Sequence, residues 1–306
     1  MTVVDWISET GDRIRKNGIE GIRDSVYELY IGGLRRANLF YGGGQHIYDR
    51  EWDILVLLDA CRVDLMSEVN SEYEFLGNPD TFTSVGSSSI QWMERTFSDE
   101  YAEEMAQTVY VTGNPFSKQV LSDGDLLGLD EVWRYGWEDE VGTIPARHIT
   151  DRAIAAGRNY KHYDRLIIHY MQPHFPSVPQ PLTDGMNTAT LGDGEGWDSP
   201  WHRLRSGELD RETVWSSYCA NLEYVLDDVE LLLDNLDADR VVISADHANA
   251  AGEFGVYGHP KVPLRVLRDV PWYETTATDS AGYKPELEPN DERGDINEKL
   301  SALGYL

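Results

Sequence analysis

The chain has 306 residues, enough for one large domain or two modest ones with a sizeable core. Its 26 Lys plus Arg against 54 Asp plus Glu give a net charge of −28, which argues against nucleic acid as the main partner and disfavours adhesion to an anionic membrane. No apolar run approaches the ~20 residues of a membrane span, the N-terminus lacks a secretory signal's basic–apolar–small order, and Cys61 and Cys219 are too few for a disulfide scaffold, so a cytoplasmic protein is expected.

Residues 1–50 carry seven acids and seven bases, so the whole net charge lies in 51–306. In this neutral N-terminal segment Ile19, Ile22, Val26, Leu29 and Gly33 recur at helical spacing and predict an amphipathic helix. Its apolar face either packs on the main domain or lets residues 1–40 dock on a protein or a membrane surface. The run Gly42-Gly43-Gly44 ends the segment.

From residue 51 the pattern is that of an α/β domain running to 273. Ile54–Leu58 is a continuous apolar run ending in Asp59, as expected of a strand buried on both faces. Val109–Val111, Leu166–Met171 and Val241–Ala245 read as further strands. A long helix from about Thr213 to Leu236 carries Val214, Tyr218, Leu222, Val225, Val229, Leu232 and Leu236 on one stripe. Strands alternating with helices predict a mostly parallel central sheet flanked by helices. Residues 177–212, rich in Gly, Pro, Asp and Trp, including Trp197 and Trp201, suggest a lid or substrate-facing loop, or a loop with its own small core. Residues 274–306 read as an acidic tail closed by a short helix with Asp295 as N-cap, Glu298 three residues on and Gly304 as terminator.

In parallel sheets ligands sit beyond the carboxyl ends of the strands. Two predicted strands end in acids, Asp59 and Asp246, and His247 follows at once, so a hard oxygen and a borderline nitrogen leave one sheet edge together and can coordinate a divalent ion. A strand-end Asp alone serves equally as a helix cap. His259 follows on a glycine-rich loop, and His169 and His174 flank the end of the third strand. Ser87, Ser88 and Ser89 precede an apolar helical pattern, a helix N-terminus where a hydroxyl either caps or, beside a metal, attacks a phosphoryl or sulfuryl centre. Cys61 has no His or basic cluster linked to it and reads as a packing cysteine.

The acidity is unusual in kind, with 29 Asp and 25 Glu beside 20 Arg and only 6 Lys. Such a surface resembles those of proteins from salt-accumulating archaea, whose hydrated carboxylates repel one another less in salt; the alternative is a face for a basic partner. The salt-adapted reading predicts a melting temperature that falls as KCl is lowered from molar to millimolar, and a melting temperature indifferent to KCl removes it.

Taken in order, these segments resemble the sulfatase-like branch of the alkaline phosphatase superfamily, over residues 51–306. Leu57–Leu65, with Asp59 and Arg62-Val63-Asp64, is similar to the first strand and its metal-binding Asp. Ser244-Ala245-Asp246-His247 with Gly258-His259 is similar to the metal-binding Ser-Asp-His-Gly block and its downstream Gly-His. Met171–Pro176 is similar to the Asp-Pro-His-x-Pro segment, and Leu303-Gly304-Tyr305 to the branch's closing residues. With the composition, the resemblance extends to sulfatase-like proteins of halophilic archaea.

The resemblance implies one or two divalent ions (Mn, Zn or Mg). Asp59, Asp246 and His247 would hold one, a serine of 87–89 would be the nucleophile on it, and matching Cys-x-Pro-x-Arg selects Ser88. His174 and His259 would ligate a second ion or hold the ester's oxygens; Arg62 and His169 would face substrate. It implies a phosphoryl-ester hydrolase or transferase acting on a small-molecule or glycan- or lipid-linked ester. Ile90 and Trp92 stand where formylglycine-forming sulfatases have Pro and Arg, so a sulfuric-ester hydrolase would use an unmodified serine. Gln172 in place of Asp, and Ala248-Asn249 in place of Gly-Glu, leave open a non-catalytic binding or scaffold protein on the same fold.

Overall fold

The structure, a computed structural model, describes residues 15, 18–37, 43–160, 162–182 and 199–289. Strands β1 (Ile54–Leu58), β2 (Asp80–Thr83), β3 (Thr108–Thr112), β4 (Gly128–Glu131), β5 (Arg165–Tyr170), β6 (Ala238–Ser244) and β9 (Asp269–Ala277) form one seven-stranded sheet, ordered β2-β9-β6-β1-β5-β3-β4. The five strands from β6 to β4 are parallel, whereas β9 is antiparallel to both β6 and β2. The short strands β7 (Ala250–Ala251) and β8 (Tyr257–Gly258) pair separately.

All five residues of β1 are buried, because strands flank it on both sides and side chains cover both faces. Each such aliphatic side chain contributes about 1.5–3 kcal/mol, and this is why the run is continuous rather than alternating. The sheet is flanked by helices: α1 (Ile19–Ala37), α2 (Val63–Val69), α3 (Ser89–Thr96), α4 (Ala146–Asn159), α5 (Pro200–Ser206) and α6 (Arg211–Leu233). Asp210 caps α6 by accepting from the Thr213 amide at 2.8 Å, and the predicted stripe from Val214 to Leu232 is buried.

Three strands of the large sheet, β2, β4 and β9, escaped the sequence reading, as did the short β7 and β8. In β9, Pro271 argued against a strand. It lies beyond the stretch Tyr273–Ala277 that pairs with β6, in the part facing β2, so two neighbours share one strand. The strand also runs past residue 273, and the polar stretch after it is fastened to α4. There Asp151 accepts from the Tyr283 hydroxyl at 2.7 Å and from the amides of Glu286 and Leu287 at 3.0 and 2.9 Å. The short helix expected at Asp295–Gly304 lies outside the described residues.

Of the expected lid, residues 177–182 and 199–212 are described, and Trp197 lies outside them. Residues 200–206 are helical, with Ser199 as N-cap, and Trp201 is buried edge-on against Phe175 and Tyr218, ring centroids 5.4 Å apart in each case. Trp201 is therefore core, not a face offered to substrate.

α1 reverses one expectation. Its inward face is Tyr27, Ile31 and Leu34, packed with Val256, Val262 and Leu267. The stripe Ile19, Ile22, Val26 and Leu29, which was expected either to pack or to dock, points to solvent.

Candidate metal centre and active site

The parallel strands deliver their carboxyl ends to one place. Asp59 follows β1, His169 is the penultimate residue of β5, Asn114 lies two residues after β3, and Asp246-His247 lie just beyond β6. Ala60, directly after Asp59, adopts φ +63°, a left-handed conformation that non-glycine residues rarely accept. It is held there because its amide donates to Asp246 Oδ1 at 3.1 Å and its carbonyl accepts from the Tyr218 hydroxyl.

Asp59, Asp246 and His247 are fully buried, and one ligand atom from each lies within 4.8 Å of the others. Each carboxylate has one oxygen tied down. Asp59 Oδ2 accepts from Asn114 Nδ2 at 2.8 Å and from Ser89 Oγ at 3.3 Å, while Asp246 Oδ1 accepts from the amides of Ala60 and His247. The other oxygens, Asp59 Oδ1 and Asp246 Oδ2, are buried with no hydrogen-bond partner. They lie 3.5 and 3.6 Å from His247 Nε2. His247 Nδ1 faces the Ala248 carbonyl at 3.1 Å, so the proton is assigned to Nδ1 and Nε2 keeps its lone pair.

Two buried carboxylates facing each other without a Lys or Arg partner are costly, and their mutual repulsion is resolved by a proton or by a cation. Burial, and then the neighbouring Asp246, push the Asp59 carboxyl well above its ordinary range. Burial alone would raise Asp246 as well, but His247, His169 and the Ala60 amide hold it low. Two carboxylate oxygens without a partner and one imidazole nitrogen beside them fit a divalent ion such as Zn, Mn or Mg.

The hydroxyl brought to this centre belongs to Ser89. Its Oγ lies 3.3 Å from Asp59 Oδ2 and 3.2 Å from His247 Nε2, at the first position of α3, beside amides that have no intrahelical acceptor. Ser87 is spent on Gln91 Oε1, which accepts from both its amide and its hydroxyl. Ser88, the position selected by the sequence match, is the N-cap residue; its Oγ is buried, makes no capping bond and has no partner. The start of α3 is set by a close approach, since a Cβ on Gly86 would lie 2.4 Å from the Trp92 amide nitrogen. Trp92 in turn rests edge-on against His169 at 5.7 Å.

Three more histidines surround the centre. His169 Nδ1 is 2.8 Å from the Tyr110 hydroxyl, and its Nε2 lies 3.8 Å from Asp59 Oδ2 and 3.7 Å from Asp246 Oδ2. His174 Nδ1 faces the Phe175 carbonyl at 2.6 Å, and His259 Nδ1 faces Asn249 Oδ1 at 2.8 Å. An oxygen acceptor on Nδ1 assigns the proton there and leaves Nε2 as a base in both rings. The His259 ring lies 4.7 Å from that of His247 and 5.1 Å from that of His174, centroid to centroid. Burial lowers His169 and His174 to about 4 and takes His259 well below its ordinary value, so all three are neutral at pH 7. His259, expected among the metal ligands, lies beside the triad rather than within its three-residue group.

Among solved structures, the integral membrane lipooligosaccharide phosphoethanolamine transferase A of Neisseria meningitidis matches with a TM-score of 0.52 and 15% identity, covering 90% of this chain and 60% of that one. The chain shares the fold of that transferase. The soluble domain of the same transferase (TM-score 0.49, 14% identity, 78% of this chain and 79% of that one) is also similar. So is a protein in the alkaline phosphatase superfamily from Vibrio parahaemolyticus (0.40, 13%, 78% and 62%). No protein-family model and no curated protein matches the chain.

Within this frame, several side chains take other parts than the sequence implied. Arg62, expected to face substrate, directs its donors elsewhere. It chelates Asp64 at 2.7 and 2.6 Å, reaches Glu253 at 2.8 Å, donates to the Asn249 carbonyl at 2.6 Å, and lies over the Trp215 ring. It fastens the loop after Asp246 rather than offering a free guanidinium. Gln172 donates to the Ile144 carbonyl at 3.0 Å and is an anchor. Cys61 is fully buried, and burial raises its thiol well above the ordinary range. Asn249, read from sequence as the loss of a useful Glu, orients His259 through Oδ1 and meets the Tyr218 hydroxyl through Nδ2 at 3.3 Å. Asn249→Ala is expected to lower kcat by about 10–100-fold with a metal content unchanged per chain, measured by elemental analysis beside steady-state rates. Asn114 was not singled out at all; its one signal is its place after a predicted strand.

Proposed function

We propose that the chain is a metal-dependent esterase or transferase of phosphoryl groups, with Ser89 as nucleophile. The observation that carries this reading is the Ser89 hydroxyl at a helix N-terminus, in contact with both Asp59 and His247, beside two buried carboxylate oxygens that have no other partner. Asp59, Asp246 and His247 would hold one divalent ion. Bound there, the ion supplies a Lewis acid that neutralises developing negative charge and favours an ionised serine.

The protein's own groups account for the rest. Ser89 Oγ attacks the phosphorus in line, forming the Ser–O–P bond as the opposite P–O bond to the ester alcohol breaks; the serine proton leaves through Asp59 Oδ2, and the departing alkoxide takes a proton from solvent. First-turn amides of α3 are suited to the non-bridging oxygens. His174 and His259, neutral and with Nε2 unprotonated, serve as bases for the water or acceptor alcohol that resolves the phosphoserine. Asn114 and Asn249 keep Asp59 and His259 in register.

The place of Asn249, which orients His259, supports an active enzyme over a non-catalytic relative. Phosphate is favoured over sulfate because, counted from Ser89, Gln91 and Met93 stand where formylglycine-forming sulfatases have Pro and Arg, so the nucleophile is expected to stay an unmodified serine. A neighbour named as a phosphoethanolamine transferase for a lipooligosaccharide makes lipid- or glycan-linked phosphodiesters the first substrate class to assay. The test compares aryl phosphate monoesters, diesters and sulfates with the Zn- or Mn-loaded full chain, followed by acid quench and peptide mass mapping. A phosphoryl group on the Ser89 peptide is expected; faster turnover of the sulfate ester, or label on another residue, overturns the assignment.

A further inference from the structure

We propose that the outward face of α1, together with Phe254, is a docking surface for an anionic lipid bilayer. Ile19, Ile22, Val26 and Leu29 form one stripe, with Ile19 73%, Val26 60% and Leu29 53% exposed. Helix ends are often loose, but this is not an unfolded end. On its inner side α1 carries the buried Ile31, the Asp24–Arg205 ion pair, and Tyr27 and Tyr30 bonded to the loop 254–257. The helix is thus fixed to the domain with its apolar side turned out.

Charge decides what covers it. At about 100° per residue, Arg23 borders the stripe on one side and Arg36 on the other, both exposed, while Asp24 falls on the opposite side of the helix. No Asp or Glu falls among positions 19, 22, 23, 26, 29, 30, 33 and 36, although the chain carries −28 overall. An apolar stripe flanked by arginines on a strongly acidic protein is complementary to anionic headgroups above an acyl layer, and the remaining surface is repelled, which orients the molecule. A second observation adjoins the first. Phe254 is 76% exposed and held at φ +53°, and its carbonyl accepts from the Tyr30 hydroxyl at 2.7 Å, so a large aromatic stands at the edge of the same face. The loop that exposes Phe254 continues through β8 to His259, so the bilayer would lie against the segment that carries a histidine of the site. No described helix is long and apolar enough to cross a membrane, which leaves an in-plane mode for α1. The inference concerns where the protein sits and stands whether or not the site turns over an ester.

The test is flotation of the full chain with phosphatidylglycerol and with phosphatidylcholine vesicles, at the lowest KCl that preserves its circular dichroism. Binding to the anionic vesicles is expected to exceed that to the neutral ones by at least about ten-fold and to weaken as salt is added. Arg23→Gln and Arg36→Gln should each weaken it by about five-fold, and Ile22→Glu/Val26→Glu should weaken it by more than ten-fold. Phe254→Gly removes the aromatic while relieving its backbone conformation, so a several-fold loss there cannot come from unfolding. Equal binding to both vesicles, no binding to either, or insensitivity to the stripe variants overturns the proposal. So does a dimer in vesicle-free solution that Ile22→Glu/Val26→Glu dissociates, since a second copy would then cover the face.

Discussion

Ser89→Ala is expected to lower kcat by at least about 10⁴-fold, whereas Ser88→Ala should keep activity within about ten-fold of the parent. The contrast follows from geometry. Ser89 Oγ touches both Asp59 and His247, while Ser88 Oγ touches neither and makes no capping bond whose loss would loosen α3. Ser88→Ala therefore forfeits less than the roughly 1 kcal/mol of an ordinary N-cap. Metal content per chain is the control: Asp59, Asp246 and His247 are intact in both variants, so both should retain the ion. A Ser89→Ala protein with a tenth or more of parental turnover would dismiss Ser89 as nucleophile, and a dead Ser88→Ala beside a live Ser89→Ala would restore the sequence-based choice.

The second large effect is at Asp59. Asp59→Asn should weaken divalent-ion binding by at least about 100-fold, because it removes one of two carboxylates from a three-residue site. It should also stabilise the metal-free protein. Asp59 holds its proton more tightly folded than unfolded, since burial and Asp246 disfavour its charge. Its contribution is therefore neutral below the ordinary carboxylate pKa of about 3.9 and becomes increasingly destabilising as pH rises from there to the raised value. Replacement by Asn removes that slope. Metal-free parent and variant, melted across pH, should diverge in favour of the variant as pH increases, and the order should reverse when metal is added. Metal uptake by the parent should release a proton, read as a buffer-dependent binding enthalpy. A parent whose metal-free stability does not fall relative to the variant over that range would show that Asp59 is not charge-frustrated.

Several features of the fold were legible because they are written in local patterns. Ile54–Leu58 could only be a strand covered on both sides, and the acids that end β1 and β6 fall at sheet ends whatever the connections between them. The Val214–Leu232 stripe specified a helix because burial on one side repeats at its pitch. β9 was not legible, since its two halves pair with different neighbours and Pro271 contradicts the local signal. Neither was Asn249, whose value comes from a histidine ten residues away that a turn brings back.

The sequence by itself determined an acidic α/β protein with Asp59, Asp246 and His247 at strand ends, and a serine cluster opening a helix; the pairing of β1 with β6 is what makes those ends neighbours. Tertiary structure alone decided which serine meets them. Successive positions at a helix start point in different directions, and the packing of α3 turns Ser89, not Ser88, toward Asp59. It likewise decided which side of α1 is covered: hydrophobic periodicity marks an apolar stripe, but only the packing of Tyr27, Ile31 and Leu34 against Val256 and Leu267 shows that this stripe faces outward.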